Sequence, residues 1–468
     1  MSIRTVAAIA AASITLVACG GGGGGGSSSA PVTPPTPATP APTVTMTVSQ
    51  PKITLGTSAT ITWSSTNATS CTASDGWSGT QAISGTSAQT PNSSGSLTYT
   101  LTCTGAGGSA KQSVVLIVPI PVLKSSYENK VTAGQKLGPQ SLPAEVPSSN
   151  SVAFADFFQD GSYSMVTHTL EYIDAGWSKT TYGHIKFYKR DAAGTWIDNT
   201  AALIKDNVGC LHPRKAVVAD FNGDGKPDVF FACHGYDKDP WPGEQPHVLL
   251  SQQDGTYTNV TLPVTCFCHS ASAVDFKGTG YADIVVTNNL APSAPFFFRN
   301  NKGSFTVDTA SLPNTLTNKA LFSTEFIDFN SDGKYDLWIG GNEPGSTDSG
   351  DAGTMASQII LNDGSDGFLK SKTYDLPTVP DYGLPLDIVY QSGKVYLLRT
   401  NIGGGPENYG KSFYTTAAIQ SIDFTTLKSS VVYAHSGAYA NGMQWVNWLI
   451  PYNSAVVAMD KAYTISVN

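Results

Sequence analysis

Four times between residues 155 and 341 the chain sets an acidic, glycine-containing turn in front of an apolar run. The two fullest copies are "ADFNGDGKPDVFFA" at 219–232 and "IDFNSDGKYDLWIGG" at 327–341. "VDFKGTGYADIVVTN" at 274–288 and "ADFFQDGSYSMVTHT" at 155–169 are degenerate copies. Their first aspartates, Asp156, Asp220, Asp275 and Asp328, stand 64, 55 and 53 residues apart, and Asp387 follows after 59 more. A period of this size marks a repeated supersecondary unit that stacks on its neighbours. After each apolar run comes another strand and hairpin: "HIKFYKRDAAGTWID", "HVLLSQQDGTYTNVT", "PFFFRNNKGSFTVD" and "QIILNDGSDGFLKS". Four strands per repeat is the content of a propeller blade. "PLDIVYQSGKVYLLRT" at 385–400, and "WVNWLIPYNSAVVAMD" followed by "AYTISV", provide two more blades. The last has only three strands. Residues 120–143 are expected to add its fourth and close the ring, which removes open sheet edges. The expectation is six blades, or seven if 120–150 or 400–435 holds another.

The acidic turns collect carboxylate, amide and carbonyl oxygens, the donors that suit a hard cation such as Ca²⁺. One set is Asp220, Asn222, Asp224, the carbonyl of Lys226 and Asp228; the other is Asp328, Asn330, Asp332, the carbonyl of Lys334 and Asp336. Gly225 and Gly333 permit the bend. An EF-hand begins alike but needs a glutamate at its twelfth position, which here is Phe231 or Ile339. In the degenerate copies Lys277 and Thr279, or Phe158 and Ser164, replace ligands. A turn that can lose its ligands and remain a turn is a staple for two strands, so the expected ion is structural.

These motifs resemble the FG-GAP or VCBS repeats of integrin alpha-like propellers and of many bacterial surface proteins. The resemblance covers about 150–342 well and the remainder by period and strand pattern. It implies a β-propeller over 120–468 and says little about activity, because propellers carry many functions.

Upstream, residues 1–19 read as a secretion signal: Arg4, an apolar run from Val6 to Val17, then "LVAC". "LVAC" resembles the lipobox of bacterial lipoproteins, which implies that Cys19 carries the lipid. By the same resemblance Gly20, where an aspartate would favour the inner membrane, implies the outer membrane. Residues 20–43 are a Gly/Ser then Pro/Thr tether. In 44–118, "SATITWSS", "SLTYTLTC" and "KQSVVLIV" alternate apolar and polar residues as half-buried strands do. With Trp63, Cys71 and Cys103 this segment resembles bacterial immunoglobulin-like spacer domains, although the Trp precedes both cysteines. The fold class is therefore all-β, an immunoglobulin-like sandwich followed by a β-propeller of four-stranded blades.

Apart from Cys19, six of the seven cysteines remain, an even number in an exported chain, which points to disulfides. Cys266 and Cys268 flank one residue, and in an extended segment their side chains diverge. Each is therefore expected to pair with Cys210 or Cys233, in one of two connectivities. These cysteines belong to a group at the propeller end opposite the acidic turns, with His212, Arg214, His234, Asp237, His269 and Asn289. Three readings stand: two disulfides with solvated histidines, a mouth that binds a glycan or peptide, and a metal or catalytic centre on His212, His234 and His269.

A net charge of −8 without a basic block excludes nucleic acid as a natural partner. No Gly-x-Ser-x-Gly, His-Glu-x-x-His or phosphate loop occurs. The leading expectation is a binding or adhesion propeller, anchored by lipid to the outer membrane on its periplasmic or outer face. The alternative is a carbohydrate-active enzyme, a polysaccharide hydrolase or lyase working at the mouth, because related propellers accompany such domains.

Overall fold

Strand alternation in residues 43–118 builds two facing antiparallel sheets. The computed structural model describes residues 38–143, 151–172, 180–236, 238–290, 292–344, 353–365, 367–380, 382–400, 417–435, 448–459 and 464–467. The expected signal segment, Cys19 and most of the 20–43 tether lie outside them. One sheet of the sandwich joins Thr43–Val48, Ala59–Thr66 and Ser84–Gln89; the other joins Gly79–Gln81, Ser70–Asp75, Gly95–Gly105 and Gly108–Val118. Ala59, Ile61 and Trp63 point inward at every second position, as a pleated strand requires. Trp63 meets Trp77 edge-on at 5.2 Å across this core. Cys71 and Cys103 are direct cross-strand partners in one sheet, with Cα atoms 4.0 Å apart. The disulfide thus staples two adjacent strands and does not bridge the two sheets.

The remaining strands form five four-stranded antiparallel sheets, one of three strands, and a two-stranded ribbon of Glu171–Tyr172 with Thr180–Thr181 among the described residues. Their first strands are Val152–Ala155, Pro213–Ala219, Cys268–Val274, Leu321–Ile327, Leu384–Gln391 and Trp448–Tyr452. Each first strand packs beside the next one. Apolar cores lie between neighbouring sheets: Phe157, Phe187 and Phe231 between blades 1 and 2, and Phe230, Ala273 and Phe298 between blades 2 and 3. The pattern continues to blade 6, where Trp448 meets Phe154 of blade 1 at 5.1 Å and the ring closes. This is a β-propeller arrangement, with six blades among the described residues.

Residues 120–143 do not supply a fourth strand to blade 6; their core is the helix Ser126–Leu137. The local sequence contains the reason. The Ser125 side chain accepts from the Tyr127 N–H at 3.1 Å, Glu128 stands in the first turn and Lys136 in the last, and Gly138 ends the helix at φ 68°. That is an N-cap with a glutamate three residues on, followed by a glycine stop. The demand for a closed ring pointed the other way, and the capping signals prevail.

The helix lies across the channel at the end where the strands turn. Ser125 pairs with Val274 and donates to Phe326 O at 3.2 Å; Asn129 Nδ2 donates to Val218 O at 3.1 Å; the Tyr127 hydroxyl accepts from Tyr390 N at 2.8 Å. Gly134 and Gly138 sit against Ile450 and Tyr452, where a Cβ would come within 2.7 and 2.8 Å of those side chains. From the helix Lys130 reaches into the channel, 2.7 Å from Asp387 Oδ1 and 3.8 Å from Glu325 Oε1. Lys215 of blade 2 bonds the same Glu325 oxygen at 2.5 Å, and Ser272 of blade 3 donates to its other oxygen at 2.9 Å. Asp387 in turn accepts the Leu449 N–H of blade 6 at 2.7 Å. Five blades and the helix therefore meet in one buried ionic network. A second buried pair joins blades 4 and 5: Arg399 holds Glu343 through two bonds of 2.8 and 3.0 Å, and Gln420 takes its Nε–H at 2.8 Å.

Breaking a buried ion pair by deleting one partner costs about 3–5 kcal/mol, because a charge is left uncompensated. Glu325→Ala leaves Lys215 without its carboxylate while Lys130 keeps Asp387, so the unfolding free energy obtained from urea denaturation is expected to fall by that amount. A loss below about 1 kcal/mol would place the network among ion pairs of surface strength.

Candidate functional site

The pairing register decides which residues share the mouth. In blade 2 Ala219 faces Asp228 beside the acidic turn, and Pro213 faces Cys233 at the far end. Blades 3 and 4 repeat this with Val274 opposite Asp283 and Cys268 opposite Asn288, then Ile327 opposite Asp336 and Leu321 opposite Gly341. Near the mouth the register slips in each of blades 2 to 5, after one residue pair in blades 2 to 4 and after two in blade 5. The unpaired residues are Arg214, His269, Phe322 and Leu386. Bulges re-aim side chains, and this repeated bulge brings groups from separate blades together. Nothing in the strand pattern announces it.

The result is a continuous stack of rings. His212 lies 4.0 Å from His234, centroid to centroid; His234 stacks on Phe267 at 4.3 Å; His269 meets His234 at 5.1 Å and Phe322 at 4.3 Å. His212, Arg214, His234 and His269 are all buried. They are not the solvated histidines of the first reading. Burial, aided by the Arg214 charge, holds the three imidazoles well below their ordinary pKa, so they are neutral. His234 Nδ1 donates to Gly235 O at 2.9 Å, which leaves its Nε2 as an acceptor. Asn289 Oδ1 accepts from Leu321 N at 3.0 Å, so its amide nitrogen donates to His269 Nδ1 at 2.9 Å. His269 therefore carries its proton on Nε2. His234 Nε2 and His212 Nδ1 have no hydrogen-bond partner among the described residues. Asp237 lies outside the described residues.

The stack does not suit a metal ion shared by His212 and His234. With zinc–nitrogen bonds of about 2 Å, two rings on one tetrahedral ion hold their centroids about 5 Å apart; the observed 4.0 Å is a stacking distance. Among the described residues one group of three metal-binding side chains has its donor atoms within 4.8 Å of one another: Cys210, Cys233 and Glu244. Its two sulfurs are joined in a disulfide.

The disulfides are Cys210–Cys233 and Cys266–Cys268, which corrects the expectation that each of the latter pairs with Cys210 or Cys233. The expectation assumed an extended segment, whose alternate Cα atoms lie about 6.6–7.2 Å apart. Cys266 instead pairs its backbone with Glu244, and the bulge begins at Cys268. The bent chain brings the Cα atoms to 5.2 Å, within disulfide range.

Sequence reasoning missed Glu244. Its carboxylate accepts the N–H groups of Leu211, His212 and Gly235 at 2.8, 2.9 and 2.8 Å, and so fixes both loops of blade 2. It also missed a half-exposed pair at the same end of blade 1, where His184 Nδ1 lies 2.8 Å from Glu171 Oε1. Beside the stack, Tyr236 and Trp241 remain 37% and 39% exposed.

At the other end the acidic turns are tied internally. Asp220 accepts from Gly223 N and Gly225 N at 2.7 and 2.8 Å. Asp228 is wholly buried and accepts from Phe221 N and Ser251 N at 2.8 and 2.7 Å. Asp224 takes the Ser251 hydroxyl at 3.0 Å, and Asn222 Oδ1 the Asp224 N–H at 3.0 Å. The second copy repeats this through Asp328 to Gly333 N, Asn330 to Asp332 N, Asp332 to Lys334 N, and Asp336 to Phe329 N. Burial raises the Asp228 and Asp336 carboxyls to about 7 and about 6. The donors fit a hard cation in kind, while no three of these carboxylates are gathered within 4.8 Å. The degenerate Asp156 has become a cap that accepts Ile120 N at 2.9 Å.

Comparison with known families matches the FG-GAP-like repeat to residues 220–286 and 275–339, the stretch that bears these turns. Residues 220–339 carry FG-GAP-like repeats. No curated protein matches the chain. Among solved structures, a protein described as a 6-phosphogluconolactonase from Bacteroides uniformis is 13% identical, with a TM-score of 0.38 over 79% of this chain and 92% of that one. The β-propeller domain of the Trilobed protease from Pyrococcus furiosus is 10% identical, with a TM-score of 0.30 over 90% and 91%. A quinonprotein alcohol dehydrogenase-like protein from Bacteroides thetaiotaomicron is 8% identical, with a TM-score of 0.31 over 89% and 95%. Likeness this distant carries no argument about activity.

The neutral histidines make stability depend on pH. Their folded pKa values lie below the unfolded value of about 6.5; His168, buried beneath the mouth, is lowered to about 3. The unfolded chain takes up the proton first, so this stability is complete above pH 6.5 and is lost as pH falls toward the folded values. Asp228 and Asp336, raised in the fold, act in the opposite sense, so the histidine share is read by difference. Between pH 6 and 5 the unfolding free energy of wild type is expected to fall more steeply than that of His234→Gln, by up to about 1.4 kcal/mol per pH unit. Parallel curves would mean that His234 is protonated in the fold.

Proposed function

We propose that this chain is a lipid-anchored binding protein of the bacterial outer membrane whose propeller presents the mouth of blades 2 to 4 to a glycan or protein ligand. The observation that carries this reading is the chemistry of the mouth. Its imidazoles are buried, neutral and stacked, and its nearby carboxylate, Glu244, is consumed by three backbone N–H groups. An enzyme needs an accessible acid or base beside a reacting atom. A binding surface needs fixed aromatic faces, and Tyr236 and Trp241 stand exposed on a loop held by that same Glu244. The motif "LVAC" supports the anchor at Cys19, and residues 20–43 the tether. The seven-stranded sandwich supports an immunoglobulin-like spacer, with its disulfide placed within one sheet. A glycan and peptide array probed with the Cys19→Ser form tests the reading, and Trp241→Ala is expected to reduce captured binding at least tenfold. An array on which both forms behave alike would overturn it.

The enzyme reading keeps one supporting observation, the half-exposed His184–Glu171 pair, in which a carboxylate orients an imidazole. Release of soluble sugars from a polysaccharide by wild type, lost in His184→Ala, would favour it.

The acidic turns of blades 2 and 4 are read as structural Ca²⁺ sites. The ligands are Asp220, Asn222, Asp224, the Lys226 carbonyl and Asp228, and Asp328, Asn330, Asp332, the Lys334 carbonyl and Asp336. A cation drawing three carboxylates together would offset the desolvation that raises Asp228 and Asp336. Calcium at a hundredfold excess over Kd stabilises by about 2.7 kcal/mol per site. The propeller transition is therefore expected to drop on chelation while the sandwich transition stays. Identical melting curves with calcium and with chelator would rule out filled sites.

A further inference from the structure

Two cavities meet at the turn end of blade 1, beneath the segment that leads from the sandwich into the helix. The first, of about 150 Å³, is walled by Ile120, Val122, Leu123, Phe154, Ala155 and Tyr163. The second, of about 480 Å³, is more open. It shares Ile120 and Tyr163 with the first and runs between the end of the helix and the hairpin that follows Lys189. The first is an apolar chamber, because its one carboxylate, Asp156, is spent on the N–H groups of Ile120, Asp160 and Gly161 at 2.9, 2.9 and 2.8 Å.

The second carries charge. Asp160 pairs with Lys189. Asp191 is occupied by the N–H groups of Ala193 and Thr195 at 2.9 and 2.8 Å. Arg190 lines the groove, with its Nε on Gly194 O at 3.2 Å and its guanidinium 5.4 Å over the Trp196 ring. Lys136, exposed in the last helical turn, also lines it. Asp160 and Lys189 offset each other, and Lys136 and Arg190 outnumber the remaining carboxylate, Asp191, so the groove carries a net positive charge next to an apolar chamber.

We propose that this composite cavity binds a small amphiphilic carboxylate, with its apolar chain in the chamber and its carboxylate facing Lys136 and Arg190. Apolar cavities stay dry and accept apolar guests, and guanidinium and ammonium groups fit a carboxylate. The roof of the chamber is the linker Ile120–Leu123. Gly161, next to it, already lies so close to Gly95 of the sandwich that a Cβ would be 2.5 Å from the Gly95 Cα. A bound guest would therefore fasten the sandwich to blade 1. The site lies at the end opposite the mouth, so its fate is independent of the ligand proposed there.

The test is calorimetric titration of the chain, in its Cys19→Ser form, with octanoate, and with octyltrimethylammonium as the cationic control. Octanoate is expected to bind with one-to-one stoichiometry and the cation not to bind. Lys136→Glu with Arg190→Glu, both at exposed positions, is expected to weaken octanoate at least tenfold. Thr132→Trp, which fills the chamber from an exposed helix position, is expected to abolish binding. Lack of octanoate binding at millimolar concentration would overturn the proposal. So would equal binding of the two amphiphiles, or octanoate affinity unchanged in the charge-reversed protein.

Discussion

Everything in the ring depends on what fills its axis. Six sheets arranged radially bury their faces against one another, but their first strands converge on a channel that their own side chains do not close. The helix Ser126–Leu137 closes it, and Lys130 converts that closure into an electrostatic joint with Asp387 and Glu325. Lys215, Ser272 and Leu449 N bring in three further blades. In a low-dielectric interior such charges are tolerable only when each is paired. The network therefore specifies one arrangement of the blades as well as holding it. It also explains how blade 6 fits a closed ring with three described strands: Trp448, Ile450 and Tyr452 pack on Phe154 and on the two helix glycines.

The two ends of the propeller divide the chemistry. At the turn end, aspartates cap backbone N–H groups, and a copy that loses its ligand pattern is put to other use: Asp156 holds the Ile120 N–H, and the Asp275 N–H donates to Lys124 O at 2.7 Å. Both degenerate copies thus contact the segment that feeds the helix into the channel. At the mouth, a bulge repeated in four blades turns Arg214, His269, Phe322 and Leu386 out of register, while two disulfides and Glu244 pin the loops of blades 2 and 3. The rings of the mouth are buried between these fixed loops, and the binding role proposed for it rests on that.

Much of this was legible in the chain because it is local. The period of the acidic turns located the blades, since each turn must bend at a glycine and be followed by a buried strand. The helix is legible too, in Ser125, Glu128 and Gly138, although the topology of ring closure calls for a strand in the same residues. The placement of His212, His234 and His269 at one end followed from antiparallel strand direction. Their stacking, burial and neutrality did not, because these depend on where three different blades point their bulged residues.

The sequence by itself determined the repeat, the four-strand unit, the acidic staples and the gathering of cysteines and histidines at one end, because each follows from hydrogen-bond geometry or side-chain period within one stretch of chain. Only the tertiary structure decided that Cys266 bonds Cys268, that Glu244 serves three backbone donors, and that Lys130 meets Glu325 and Asp387. Those outcomes join residues as much as 257 positions apart, or turn on a bend of a few tenths of a nanometre. No local pattern encodes them, because their energy comes from groups that only the closed ring brings into contact.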